Sequence, residues 1–365
     1  EIEYFLSDAT PHVFVCRPQI QALAEELAAK AGVAQILELD DGGSGSLADA
    51  AADERDEFAT VPRGGDDLAA LLYTSGTTGH SKGAMLSHGN LASNAEALHR
   101  YWEFRPDDVL LHMLPIFHVH GLFIATHCIL MNGTPMFFEP RFDAKRAMEL
   151  LPAATVFMGV PTYFVRLLAE PLFTGELCAN IRLFVSGSAP LLTETFEEFR
   201  TRTGHTILER YGMTEGNVLS SNPYDEERRG GTVGFPLPGV SIRIADDENR
   251  PLKVGEIGNI QVRGPNVFRG YWKMPEKTRE EFTGDGFFKT GDMGRKDADG
   301  YIQIVGRSKD IIITGGLNVY PKEIEEVIDA IPGVVETAVI GIPHPDFGEA
   351  VTAVVVRHKH EAGAA

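Results

Sequence analysis

Between Asp67 and Tyr211, short apolar runs alternate with segments long enough to be helices, and few folds accommodate that pattern. The runs are LAALLYT (68–74), DVLLHMLP (108–115), TPMFFE (134–139), TVFMGVP (155–161) and IRLFVSG (181–187), each bounded by glycine, proline or polar residues. Between them lie NLASNAEALHRYW (90–102), AKRAMELL (144–151), TYFVRLLAE (162–170) and LTETFEEFRTRTG (192–204). Strand–helix alternation of this kind predicts a largely parallel sheet with right-handed crossovers, covered on both faces. Ligands of such sheets bind beyond the carboxyl ends of the strands.

The flanking regions have different textures. Residues 1–40 read as strand (VFVC), helix (QALAEELAAKAG) and strand (QILEL), with Gly32 as a helix stop. Residues 41–57 are small, polar and acidic and read as a surface loop. From Gly231, the short strands GVSIRIAD, GEIGNIQVRG and GYIQIVGR are spaced by turns and predict an antiparallel or barrel-like subdomain. After Arg307 come DIIIT, a Gly-Gly turn, a helix opened by Pro321, and two more strands. The expected organisation is therefore α/β: a large domain over 1–307, with 230–307 barrel-like, and a small α+β domain over 308–365.

Composition narrows the function classes. The 365 residues carry 33 Lys+Arg and 52 Asp+Glu, a net charge of −19. That acid excess argues against a general nucleic-acid binder or a basic membrane-surface protein. No apolar run approaches the ~20 residues of a spanning helix, and EIEYFLSDAT has no signal-peptide pattern. The three cysteines, Cys16, Cys128 and Cys178, stand far apart without a CxxC pair, which fits a reducing compartment. The histidines have no cysteine or carboxylate partners at metal-site spacing. A cytoplasmic location is the expectation.

Four segments carry chemistry. YTSGTTGHSKG (73–83) follows an apolar strand and joins glycines, hydroxyls and Lys82 in one loop. Glycines let the backbone turn its N–H groups toward an anion, and the hydroxyls and lysine suit a polyphosphate. It is not the GxxxxGK[ST] loop, because Gly83 follows the lysine. YGMTE (211–215), after TILER, offers a hydroxyl and a carboxylate that suit a phosphate and its Mg²⁺. TGD (290–292) places an aspartate where it can accept from ribose hydroxyls, and GRSKD (306–310) suits a hinge.

In this order, the four segments closely resemble the adenylate-forming superfamily: acyl-CoA synthetases, firefly luciferase and the adenylation domains of peptide synthetases. The resemblance covers essentially the whole chain. It implies a large domain and a small mobile one, and a two-step reaction. A carboxylate attacks the α-phosphate of ATP, and coenzyme A then displaces AMP. It further implies roles by residue. Thr74, Ser75, Gly76, Thr77, Thr78, Gly79 and Lys82 would grip the distal phosphates. Gly187, Ser188 and Ala189 would line the adenine and acyl pocket. Tyr211, Gly212 and Met213 would border the nucleotide, Thr214 would touch its α-phosphate, and Glu215 would bind Mg²⁺. Asp292, helped by Arg307, would hold the ribose. Lys309 would be the hinge, and Gly315 and Gly316 would let pantetheine pass. Lys82, Thr214 and Glu215 would be the catalytic set.

Arg166 in VPTYFVR, Arg210 before YGMTE, and His118 and His120 in PIFHVHGLF point to a small dicarboxylic acid. A second carboxylate needs a buried cation, and arginine matches it best. Within the superfamily, VPTYFVR, VSGSAPLL, ERYGMTE and VRGPNVFRGYW resemble the malonyl-CoA synthetases, so malonate or methylmalonate is the expected acid. The alternatives are another short-chain, medium-chain or aromatic acid–CoA ligase, or an inactive nucleotide-binding paralogue. Gly216 departs from the resemblance, since relatives often carry threonine there. Family members also begin earlier and run on to a lysine in a Gly-Lys loop, so the resemblance implies a chain incomplete at both ends.

Overall fold

The alternation between Asp67 and Tyr211 resolves, in a computed structural model describing residues 1–74, 81–344 and 347–357, into the expected sheet with one exception. The chain divides into two compact units, Glu1–Gly64 and Gly65–Ala365. The first unit holds helices α1 (Ile2–Ala9), α2 (Gln21–Ala31) and α3 (Ser46–Ala52) and a parallel strand pair, β1 (Val13–Cys16) and β2 (Gln35–Glu38). Gly32 closes α2 at φ 71°, as its position in sequence suggested. The helix α3 corrects the expectation of a loop over 41–57. SLADAAA is alanine-rich, and intrinsic helix propensity outweighs the polar flanks there.

The second unit opens with β3 (Leu68–Thr74) and β4 (Lys82–Ser87), an antiparallel hairpin separate from the main sheet. This is the exception: LAALLYT is not a strand of the parallel sheet, and the next described element after it is the strand β4 rather than a helix. Next come α4 (His88–Tyr101), β5 (Leu110–His112), a π-helical segment (His120–Ala125), α5 (Thr126–Asn132) and β6 (Met136–Phe138). They are followed by α6 (Ala144–Leu150), β7 (Val156–Gly159), α7 (Pro161–Leu168), β8 (Leu183–Ser186), α8 (Thr193–Thr203), β9 (Leu208–Met213), β10 (Asn217–Ser221) and β11 (Phe235–Pro236). The seven strands β5 to β11 form one sheet in the order β11-β10-β9-β8-β7-β5-β6, parallel from β6 to β9 and antiparallel beyond.

Burial explains the apolar runs. Along β7 and β8, Phe157 and Phe184 face α7 and α8 with Phe164 and Phe199. Val156, Met158, Leu183 and Val185 face the opposite core with Leu98, Trp102 and Ile129. Each such side chain contributes about 1.5–3 kcal/mol on leaving water. From β5 the chain runs to β6 on one side and then to β7 on the other, which opens a crevice at the carboxyl ends of the strands.

Beyond this sheet lie β12 (Ser241–Ala245), β13 (Gly258–Arg263), α9 (Pro275–Glu281), β14 (Phe288–Lys296) and β15 (Ile302–Arg307). Of the two forms the texture allowed, the antiparallel sheet is the one present, in the order β12-β13-β14-β15. The remaining strands β16 (Ile312–Thr314), β17 (Leu317–Val319), β18 (Val334–His344) and β19 (Gly348–Arg357) form a second four-stranded sheet, joined by helix α10 (Pro321–Asp329). Pro321 occupies the first turn of α10. Among the described residues, no helix is long and apolar enough to cross a membrane. Cys16, Cys128 and Cys178 are all buried free thiols.

Candidate active site

The carboxyl ends of β5, β8 and β9 converge on one region. β5 leads into His118 and His120, β8 into Gly187 and Ser188, and β9 supplies Arg210 and Tyr211. A cavity of about 680 Å³ opens there, lined by Ser188, Ala189, Glu209 to Met213, Asp292, Arg307 and Lys309, with α10 and β18 closing it. Tyr211–Met213 belong to β9 itself rather than following it, and Thr214–Gly216 make the turn into β10. Because side chains alternate along a strand, Arg210 and Tyr211 leave β9 in opposite directions.

On the Tyr211 side, the Tyr211 hydroxyl donates to Asp292 Oδ2, and Arg307 Nε lies 3.3 Å from Asp292 Oδ1. The strand register sets this pair, since Asp292 on β14 stands opposite Arg307 on β15. Gly291, at φ 77°, lies inside β14 where its pairing with β13 is irregular. Burial pushes the Asp292 carboxyl up, and Tyr211 and Arg307 pull it back. The two residues singled out for a ribose are thus adjacent.

On the Arg210 side, the guanidinium is 4% exposed, and neither Nε nor Nη2 finds a hydrogen-bond partner among the described residues. Burial lowers its pKa to about 9. A Cβ on Gly187 would overlap the guanidinium, so glycine is what lets the arginine lie against this backbone. His120 is buried, its Nδ1 lies 3.2 Å from Ser188 Oγ, and its Nε2 has no partner among the described residues. The His120 N–H donates to His118 Nδ1 at 3.1 Å. Burial first, and then Arg210, lower both imidazoles, so both are neutral at pH 7. Ser188 holds φ 70°, a sparsely populated conformation for a residue with a side chain. One buried cation flanked by neutral donors is an anion acceptor, because a buried charge is stable only when paired.

Arg166 lies elsewhere. Pro161, Phe164, Leu167 and Leu168 form the buried face of α7, so helical spacing turns Arg166 to the exposed face. It does not line the cavity, and the convergence with Arg210 expected from the sequence is not among the contacts present.

A third corner gathers the phosphate motifs. Thr74 and Lys82 are paired across the β3–β4 hairpin, while Ser75, Gly76, Thr77, Thr78 and Gly79 fall outside the described residues. Lys82 Nζ lies 4.2 Å from the centre of the Tyr271 ring and 3.9 Å from Glu281 Oε1. Glu215 is 6% exposed, and the Tyr271 hydroxyl donates to its Oε1 at 2.8 Å. Burial raises its pKa, while Tyr271 and Lys82 oppose that. Among the described residues, no three His, Cys, Asp or Glu side chains cluster as a complete metal cage. A lone buried carboxylate nonetheless fits Mg²⁺, which is held by one or two carboxylates together with phosphate oxygens.

Gly216 is buried, and a Cβ there would stand 2.7 Å from Leu219 Cδ2, so a larger residue requires the Leu219 side chain to shift. Lys309 sits in a single 3₁₀ turn, Ser308–Asp310, directly after β15. Gly315 and Gly316 make the β16–β17 turn at φ 56° and 82°, away from the cavity lining.

Sequence reasoning missed Tyr271, Glu281 and Glu209. Glu209 is buried on β9, accepts from the Leu191 N–H at 3.1 Å, and is pushed up to about 8 by burial. A charged residue inside an otherwise apolar strand was the available signal. Tyr271 lies in VRGPNVFRGYW, but no role was assigned to it there.

Residues 1–272 match the AMP-binding enzyme family, and residues 323–364 match the AMP-binding enzyme C-terminal domain. The chain is 42% identical to a malonate–CoA ligase of Arabidopsis thaliana over 82% of its own length and 52% of the relative's. It superposes on ATP-bound MatB from Rhodopseudomonas palustris with a TM-score of 0.97 and 57% identity, covering 99% of this chain and 72% of that one. It matches a malonyl-CoA ligase ternary product complex with methylmalonyl-CoA and AMP bound at a TM-score of 0.73 and 38% identity, covering 100% of this chain and 76% of that one. The chain spans about half to two thirds of the length of the first curated relatives it matches. The chain belongs to the AMP-binding enzyme family.

Proposed function

We propose that this chain carries the activity of an AMP-forming acid–thiol ligase acting on malonate or methylmalonate, with ATP and coenzyme A as co-substrates. The observation that carries the reading is the buried Arg210, whose Nε and Nη2 find no partner among the described residues, beside Ser188, His118 and His120. One carboxylate of a short diacid would occupy this cation. The other would then point toward the nucleotide corner around Tyr211 and Asp292. The relatives named for malonate and methylmalonyl-CoA agree with this reading.

In the first step, a carboxylate oxygen of the acid attacks the α-phosphorus. The P–O bond to the β-phosphate breaks, and pyrophosphate leaves. In the second step, the coenzyme A sulfur attacks the acyl carbon, the acyl–phosphate C–O bond breaks, AMP leaves, and the thiol proton passes to solvent. The residues contribute placement and charge, which dominate in-line displacement at phosphorus. Asp292 and Arg307 would fix the ribose, Thr214 would meet the α-phosphate, and Lys82 would meet the distal phosphates. Glu215 would hold the Mg²⁺ that neutralises phosphate charge. Residues 308–365 would act as a small domain turning near Lys309, with Gly315 and Gly316 bordering the pantetheine path.

The test is AMP formation measured with malonate, methylmalonate, butyrate and benzoate. Turnover confined to the diacids supports the reading. Preference for butyrate or benzoate overturns the choice of acid, and no AMP from any acid overturns the activity.

A further inference from the structure

Lys82 and Glu215 come from distant parts of the chain, yet one short segment holds both. Residues 268–272 run alongside β4: the Arg269 N–H donates to the Met85 carbonyl at 3.1 Å, the Met85 N–H to Gly270 at 3.0 Å, and the Trp272 N–H to Gly83 at 2.7 Å. The same segment reaches the β9–β10 turn, where the Phe268 N–H donates to the Glu215 carbonyl at 2.7 Å. Tyr271 stands opposite Ala84 in this pairing and is 3% exposed. Its ring face carries the Lys82 ammonium and its hydroxyl grips Glu215 Oε1.

We propose that Tyr271 is a positioning residue that fixes the cation for the distal phosphates and the carboxylate for their metal at a set separation. This inference rests on the nucleotide reading given above. The two contacts use different parts of one side chain, so they separate experimentally. Phenylalanine keeps the ring under Lys82 and drops the bond to Glu215. Leucine drops both. A ring under an ammonium is worth a few-fold to about thirty-fold in affinity, and the hydroxyl's bond to the carboxylate, worth more in itself, reaches the metal only through Glu215 and should move its affinity about three- to ten-fold.

Calorimetry with ATP and with AMP in the absence of metal reads the lysine. Mn²⁺ titrated into the ATP complex, followed by loss of the free-ion electron paramagnetic resonance signal, reads the carboxylate. Tyr271→Phe should bind metal-free ATP and AMP like the wild type and bind Mn²⁺ about three- to ten-fold more weakly. Tyr271→Leu should in addition lose ATP affinity by a similar factor while keeping AMP. Wild-type Mn²⁺ affinity in Tyr271→Phe overturns the inference, and so does an equal loss of ATP and AMP in Tyr271→Leu. The near-isosteric Phe variant keeps the test decisive if Leu fails to fold. A wild-type chain that binds ATP while Tyr271→Phe behaves identically condemns only the inference, whereas a wild type that binds no ATP condemns the nucleotide reading beneath it.

Discussion

The guanidinium of Arg210 lies against the backbone of Gly187, in space that any β-carbon would fill. A buried arginine with unpartnered nitrogens is a poor stabiliser, and this one is kept at the carboxyl end of β8, where a ligand can complete it.

Replacing Arg210 by Met should therefore separate stability from function. An apolar side chain of similar length suits the pocket, so the melting temperature should hold or rise. Malonate turnover should fall by about two orders of magnitude, the effect of removing one partner of a buried charge pair. Butyrate should be less affected. Thermal melts and AMP formation on both acids check this, and a parallel loss on the two acids would assign Arg210 to structure.

Asp292→Ala should weaken every adenine nucleotide alike, because the ribose is common to all. A charge-assisted hydrogen bond is worth about 1.5–3 kcal/mol, roughly ten- to a hundred-fold in affinity. Calorimetry with AMP and ATP is the measurement, and unchanged AMP affinity would reduce the Asp292–Tyr211–Arg307 group to a structural network.

Glu209 makes stability depend on pH. Its carboxyl titrates near 4.5 when unfolded and near 8 when folded. Between those values the unfolded chain has released a proton that the folded chain retains. The stability it contributes is complete below the lower value and is lost as pH rises through the upper one, at no more than about 1.4 kcal/mol per pH unit. Glu209→Gln should flatten the fall in melting temperature between pH 5 and 8, as read from melts across that range. An unaltered slope would show that Glu209 is ionised in the fold.

Lys309→Pro should slow thioester formation more than adenylation, because only an exchange between two placements of residues 308–365 requires that backbone to rotate. Rapid-quench measurement of the two half-reactions distinguishes this from equal losses, which would indicate misfolding.

The main sheet was legible because its strands are buried on both faces and therefore read as apolar runs. IRLFVSG and TVFMGVP contain β8 and β7 in full, each strand being the run's central four residues or close to them. The β3–β4 hairpin was not, since LAALLYT has the same texture whether its partner is parallel or antiparallel. Asp292 and Arg307 were legible as a pair through the resemblance, and the register of β14 and β15 supplies the physical cause. Arg166 shows the limit. Its residue type suggested a clamp, but the apolar positions of α7 had already assigned it to the outer face. Tyr271 was invisible for another reason: its two contacts depend on pairing with β4, far away in the chain.

Strand β9 has a consequence for how such an enzyme can change. Arg210 and Tyr211 are neighbours in sequence but leave the strand on opposite faces, one toward Gly187 and the histidines, the other toward Asp292. Under the function proposed above, the residue that meets the acid and the residue that meets the nucleotide are thus separated by a single peptide unit on the rim of one cavity. On that reading, substitutions on the Arg210 face would change which acid is accepted while leaving the Tyr211–Asp292 contact as it is.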